Sequence, residues 1–178
     1  MYIKNYRNSS EIKSYDPIEH CSELKINASK SATFHILTDT NFIGKIKPIS
    51  NEYIPETLKI SGYSRSEHEN FDDPHIVMSK FAEWINNNTK GRPILISDNN
   101  GFDASWINYY FWVFYGKNPF GHSSRRIGDL YCGMVKDTFA SWKHLRDTEH
   151  THNPLDDAMG NAEVLLKMKN MGLKINIK

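Results

Sequence analysis

The sequence predicts an α/β protein, a sandwich built on a mixed β-sheet flanked by α-helices. Three observations carry that expectation. Strand-like runs come first in the chain. A short, fully apolar run, Pro93-Ile94-Leu95-Ile96, sits mid-chain as a buried central strand would. Segments of helical period then alternate with it and follow it.

Taken in order, residues 1–30 are polar, without a clear period, and form an atypical N-terminal segment of one domain spanning 1–178. Ala32 to Leu37 and Asn41 to Ile49 read as two strands, and Thr38-Asp39-Thr40-Asn41 between them has the turn chemistry of a hairpin. Pro55 to Ile60 suits a short helix closed by Gly62. A stronger helix begins at Asp73-Pro74, with Asp73 as cap and Pro74 in the first turn. Val77, Phe81, Trp84 and Ile85 share its inner face, and Asn86-Asn87-Asn88 ends it. After the strand at 93–96 and a turn from Ser97 to Gly101, a helix from Asp103 to about Tyr115 is apolar nearly all round, so it must be buried or covered. The last helix runs from Asp156 to Met171, packs through Ala158, Ala162, Leu165 and Leu166, and stops at Gly172.

Composition narrows the function. With 22 basic and 21 acidic residues the net charge is +1, which argues against a protein that coats long nucleic acid by bulk electrostatics. No apolar run reaches the length of a membrane span and the N-terminus lacks a signal-peptide core, so a cytoplasmic protein with no membrane partner is expected. Cys21 and Cys132 form no CxxC pair and read as reduced thiols.

Two segments carry chemistry. In His150-Thr151-His152-Asn153-Pro154-Leu155-Asp156-Asp157-Ala158, His152 precedes by five residues an aspartate in the first turn of a helix. A carboxylate on a rigid helix is a good ligand for Mg²⁺ or Mn²⁺, and a histidine on the adjoining loop can deprotonate a water bound to that ion. The plainer reading makes Asp156 the helix cap and Asp157 a partner of its dipole. In Ile96-Ser97-Asp98-Asn99-Asn100-Gly101-Phe102-Asp103, a buried strand ends, a turn follows, and Asp103 opens a helix. Open α/β folds place their sites at that edge. Here too the plainer reading is an aspartate at a helix N-terminus.

Together the segments resemble the DEDDh family of 3′–5′ exonucleases, which have an RNase H-like fold. Asn99-x-x-Phe102-Asp103 is similar to that family's second motif and His152-x-x-x-x-Asp157-Ala158 to its third. Pro55-Glu56 with Ile60-Ser61-Gly62-Tyr63-Ser64 resembles its segment beside the substrate's 3′ end, and Asp129-Leu130 its structural Asp-Leu before a mid-domain helix. The run from Phe42 through Asp103 to Met168 resembles small bacterial stand-alone members. The resemblance implies Asp103 and Asp157 as ligands of two divalent ions, Mg²⁺ or Mn²⁺, and His152 as general base. It implies single-stranded DNA or RNA 3′ ends as substrate, with release of nucleoside 5′-monophosphates. Phe102, Tyr63 and Trp106 become candidates for stacking on terminal bases, against the competing expectation that each packs in the core. Many relatives are homodimers, and by analogy Tyr109 to Phe120 is a candidate interface.

The chain departs from the pattern at the first motif, an Asp-x-Glu on the opening strand. The nearest residues are Asp16 and Glu19. They stand three apart rather than two, so on a strand they face opposite sides, and Pro17 between them cannot donate to a central strand. Two expectations follow. One is an exonuclease, active or attenuated; the other is a catalytically inactive nucleic-acid-binding module on the same fold. A zinc protein using His150 and His152 is a distant third, since zinc sites usually bring cysteines or tighter histidine spacing.

Overall fold

The computed structural model describes residues 42–58, 61–150 and 154–175. Six helices and two strands are defined among them: α1 (Pro55–Leu58), α2 (Arg65–Glu69), α3 (Pro74–Asn88), β1 (Leu95–Ser97), α4 (Asn100–Phe114), β2 (Ser124–Arg126), α5 (Ile127–Val135) and α6 (Pro154–Asn170). The α/β class holds. β1 and β2 pair in parallel, with Leu95 opposite Ser124 and Ser97 opposite Arg126. Parallel neighbours need a crossover, and α4 lies in it.

The pleat of β1 divides the interior. Leu95 packs against a cluster formed mainly by α3 and α4, including Val77, Phe81, Ile85, Tyr110 and Phe111. Ile96, the next residue, packs against a second cluster of Ile127, Tyr131, Trp142, Val164 and Met168 from α5, α6 and the segment between them. Adjacent strand residues point to opposite faces, so a three-residue strand serves both cores. Phe81 sits at the centre of the first, with Phe42 at 5.0 Å and Phe111 at 5.3 Å between ring centroids.

Helix α3 forms as its sequence dictates: Asp73 Oδ1 accepts the amide of His75 at 2.8 Å, and Pro74 follows the cap. Gly172 (φ +107°) turns the chain after α6, where its amide reaches the carbonyl of Lys169 at 3.0 Å.

Several expectations need correction. Residues 42–49 are not a strand. They make one isolated parallel bridge, Ile46 with Asp72, beside Lys47 N donating to Asp72 O at 2.8 Å. Gly44 and Pro48 interrupt the run, and Phe42 and Ile46 serve packing on α3 instead of a ladder. The other expected strand, Ala32–Leu37, lies outside the described residues. Helix α4 begins at Asn100, so Asp103 lies inside its first turn rather than opening it. Asp129 and Leu130 lie within α5, not before a helix. Helix α6 begins at Pro154, which places Asp156 in the first turn and not at the cap, and its buried hydrophobic residues are Ala162, Val164, Leu165 and Met168. The all-round apolar α4 buries Ile107, Tyr110 and Phe111, yet Trp112 and Val113 are exposed among the described residues.

Two elements were not foreseen. β2 is Ser-Arg-Arg and carries no apolar pattern. Helix α2 starts on a capping box in which Ser64 Oγ accepts the amide of Glu67, while Ser64 N donates to Glu67 Oε2 at 2.7 Å. The Ser64 hydroxyl, which also donates to Glu67 Oε2 at 2.7 Å, and then the Ser64 amide hold the Glu67 carboxyl below its usual range.

Candidate active site

Asp103 is delivered by the β1–α4 turn. β1 ends at Ser97, and two polar residues, Asp98 and Asn99, precede the helix. A relay of hydrogen bonds ties both strands to the carboxylate. Ser124 Oγ on β2 donates to Asn100 Oδ1 at 2.6 Å, and Asn100 Nδ2 donates to Ser97 Oγ at 3.3 Å. The Ser97 hydroxyl in turn donates to Asp103.

The electrostatics of Asp103 are unusual for an aspartate at a helix start. Burial pushes its carboxyl above the ordinary range, the Ser97 hydrogen bond opposes that, and the neighbouring Asp98 charge adds to it. No basic side chain among the described residues forms an ion pair with it; the ion pairs there are at other carboxylates. A carboxylate partly shielded from water beside a second acid, with no ion-paired base among the described residues, fits a place for a divalent ion.

Asp157 is delivered by the first turn of α6. Its Oδ1 takes Arg146 Nη2 at 3.1 Å and His150 Nδ1 at 2.7 Å, while Oδ2 takes no hydrogen bond from the described residues. Its side chain is 29% exposed and that of Arg146 only 11%. Among the described residues one oxygen is therefore held and the other is open, which also fits cation binding. The loop ahead of His150 is fastened to the same helix: Thr148 donates its amide and hydroxyl to Glu163, and Lys167 Nζ pairs with Asp147 at 2.6 Å.

The three aromatic candidates differ. Trp106 packs against the first core cluster, and Phe102 meets it edge-to-face at 6.0 Å. Tyr63 lies far along the chain in a cluster with His68 and Phe71, with Lys45 Nζ at 2.6 Å from its hydroxyl and over its ring. His152, Asp16 and Glu19 lie outside the described residues. Among the described residues no group of three or more His, Cys, Asp or Glu side chains gathers as a metal site. Asp103 and Asp157 each have their own set of partners, joined by no hydrogen bond to one another. No described helix is long and apolar enough to cross a membrane.

Sequence reasoning missed Ser97, Asn100, Ser124, Arg146 and Glu163. The signals were faint: polar residues packed at a strand end, and a glycine, Gly160, within a helix that otherwise favours larger residues.

The fold and these two centres define an α/β protein with acidic residues presented in the first turns of two helices. No protein-family model matches the chain. It is 36% identical over 132 residues to the 3′–5′ DNA exonuclease Cap18 of Escherichia coli, covering 67% of this chain and 69% of that one. The chain belongs to the 3′–5′ exonuclease family.

Proposed function

We propose that the protein is a metal-dependent 3′–5′ exonuclease of DEDDh type on an RNase H-like fold, acting in the cytoplasm on single-stranded 3′ ends, DNA being favoured by the name of its relative. The observation that carries this reading is the half-buried Asp103 carboxylate beside Asp98, without an ion-paired base among the described residues, where β1 meets α4.

Asp103 and Asp157 would hold Mg²⁺ or Mn²⁺, as one ion or the family's pair. When bound, such an ion supplies Lewis acidity at the scissile phosphate and offsets charge on the leaving oxygen. His152 takes the proton of the attacking water. The water oxygen bonds to phosphorus as the bond from phosphorus to the 3′ oxygen breaks; that oxygen departs with the shortened strand and takes up a proton, and the terminal residue is released as a nucleoside 5′-monophosphate. Ser97 orients Asp103 through its hydroxyl. Phe102, Trp106 and Tyr63 are the candidates for stacking on the terminal bases. A homodimer through the exposed side of α4 belongs to this reading by analogy with the family. The missing Asp-x-Glu favours the second reading, a module that binds ends without cutting them.

A labelled oligonucleotide incubated with Mn²⁺, then with EDTA, beside an Asp103→Asn variant, separates the two. Mononucleotides released only with Mn²⁺ and only by the parent protein support the enzyme; binding without release supports the module.

A further inference from the structure

We propose that Arg146 is a positioning residue for the Asp157 carboxylate: its guanidinium lies across the bare Cα of Gly160, takes Oδ1, and leaves Oδ2 for a cation. The inference rests on the nuclease reading above and names a part of that site which no motif of the sequence marks.

Arg146 is nearly buried, and its contacts are specific. Nε donates to Thr148 O at 2.8 Å, and Nη2 donates to both Asp156 O and Asp157 Oδ1, each at 3.1 Å. One planar group thus fixes the loop before the histidines, the backbone of the α6 first turn and the acid that turn carries. Lysine, a point charge with no fork, cannot make all of these bonds at once. Space for the group comes from Gly160, one turn along α6 from Asp157. A Cβ there would lie 2.2 Å from Arg146 Nε and 2.5 Å from its Cζ, closer than any real contact. The helix therefore carries a glycine, a residue that weakens helices, where the arginine crosses it. Glu163, the next acid along α6, accepts the amides of Asp147 and Thr148 at 3.2 and 2.9 Å. Arg146 and Glu163 together strap the 146–150 loop to one side of the helix.

The strap matters because a carboxylate on the first turn of a helix rotates about χ1 unless something holds it. Holding Oδ1 sets the direction of Oδ2 before any ion arrives. Outer partners of metal ligands act in this way, and their loss typically costs about 10–100-fold in affinity or activity.

The test compares the parent protein with Arg146→Met, Arg146→Lys and Gly160→Ala, each checked for folding by far-UV circular dichroism. Mn²⁺ affinity is read by calorimetry without substrate, and kcat and KM are read on a single-stranded oligonucleotide. Arg146→Met is expected to bind Mn²⁺ about tenfold more weakly and to lose about tenfold or more in kcat with KM little changed. Arg146→Lys should recover part of both losses. Gly160→Ala should match Arg146→Met although every charge is retained. Should Arg146→Met fail to fold, the lysine and Gly160→Ala proteins carry the comparison. Parent-like Mn²⁺ affinity and kcat in Arg146→Met, or in the other two when it does not fold, overturn the proposal. So does tighter Mn²⁺ binding, which would mean that the guanidinium merely competes with the ion. A parent protein that neither binds Mn²⁺ nor releases nucleotide instead removes the nuclease reading on which the proposal stands.

Discussion

Ser124 and Asn100 meet across the β1–β2 pair, with 2.6 Å between the serine Oγ and the asparagine Oδ1. The contact ties the start of β2 to the start of α4. It extends through Asn100 Nδ2 to Ser97 and so to Asp103. Ser97→Ala removes the one hydrogen bond that opposes the upward shift of the Asp103 carboxyl, so its proton should be held more tightly. Metal-dependent kcat/KM should fall about tenfold at mildly acid pH, within the range for outer partners of a ligand, and recover as the pH rises. Rate profiles for the parent and variant check this; identical profiles would count against the relay.

The same carboxyl governs stability of the metal-free protein. Its folded value is raised, so its contribution is fully present below the ordinary aspartate value of about 3.9 and is lost as pH rises through the higher folded value. Asp103→Asn removes that loss while still accepting the Ser97 hydroxyl. Its Tm, with EDTA present, should exceed the parent's at neutral pH and converge with it below about pH 4. A variant less stable than the parent at neutral pH would refute the sign.

Asp157→Asn keeps the shape of the side chain and an acceptor for Arg146 and His150, but discards the charge. The parent should gain about 2.7 kcal/mol at Mn²⁺ one hundred times its dissociation constant. The variant should show no such shift. An unchanged thermal response to Mn²⁺ would make Asp157 only a helix-end acid.

Phe81 has no exposed surface and stacks between Phe42 and Phe111. Phe81→Ala should cost about 3–5 kcal/mol, a fall in Tm of roughly 6–20 °C at about 2–4 °C per kcal/mol. Chemical denaturation with a constant slope is the measurement. A smaller loss would mean that the four neighbouring rings close over the gap.

Legibility in the sequence followed the range of the forces involved. Helix α3 could be read because its cap, its proline and its apolar period are local, and the stop of α6 at Gly172 is local in the same sense. Asp103 stood out because a buried strand, a turn and a helix follow one another within a few residues. β2 left no trace: its parallel pairing depends on a partner beyond a crossover, and two of its three residues face solvent. Residues 42–49 misled because scattered apolar residues such as Phe42 and Ile46 pack on one side, and α3 offers that without a strand partner. The capping box of α2 was readable at Ser64 and Glu67 yet lay in a stretch dominated by turn residues. Arg146 was invisible because its meaning depends on a glycine fourteen positions later, brought close only by the folded loop.

The division of labour between Leu95 and Ile96 has an evolutionary corollary. With one strand feeding two interiors by alternation, deleting or inserting a single amino acid inside β1 would exchange their assignments, sending the group fitted to the α3–α4 side toward Trp142 and the reverse. Length variation among descendants of this chain should therefore collect in the loops around β1 and spare the strand itself.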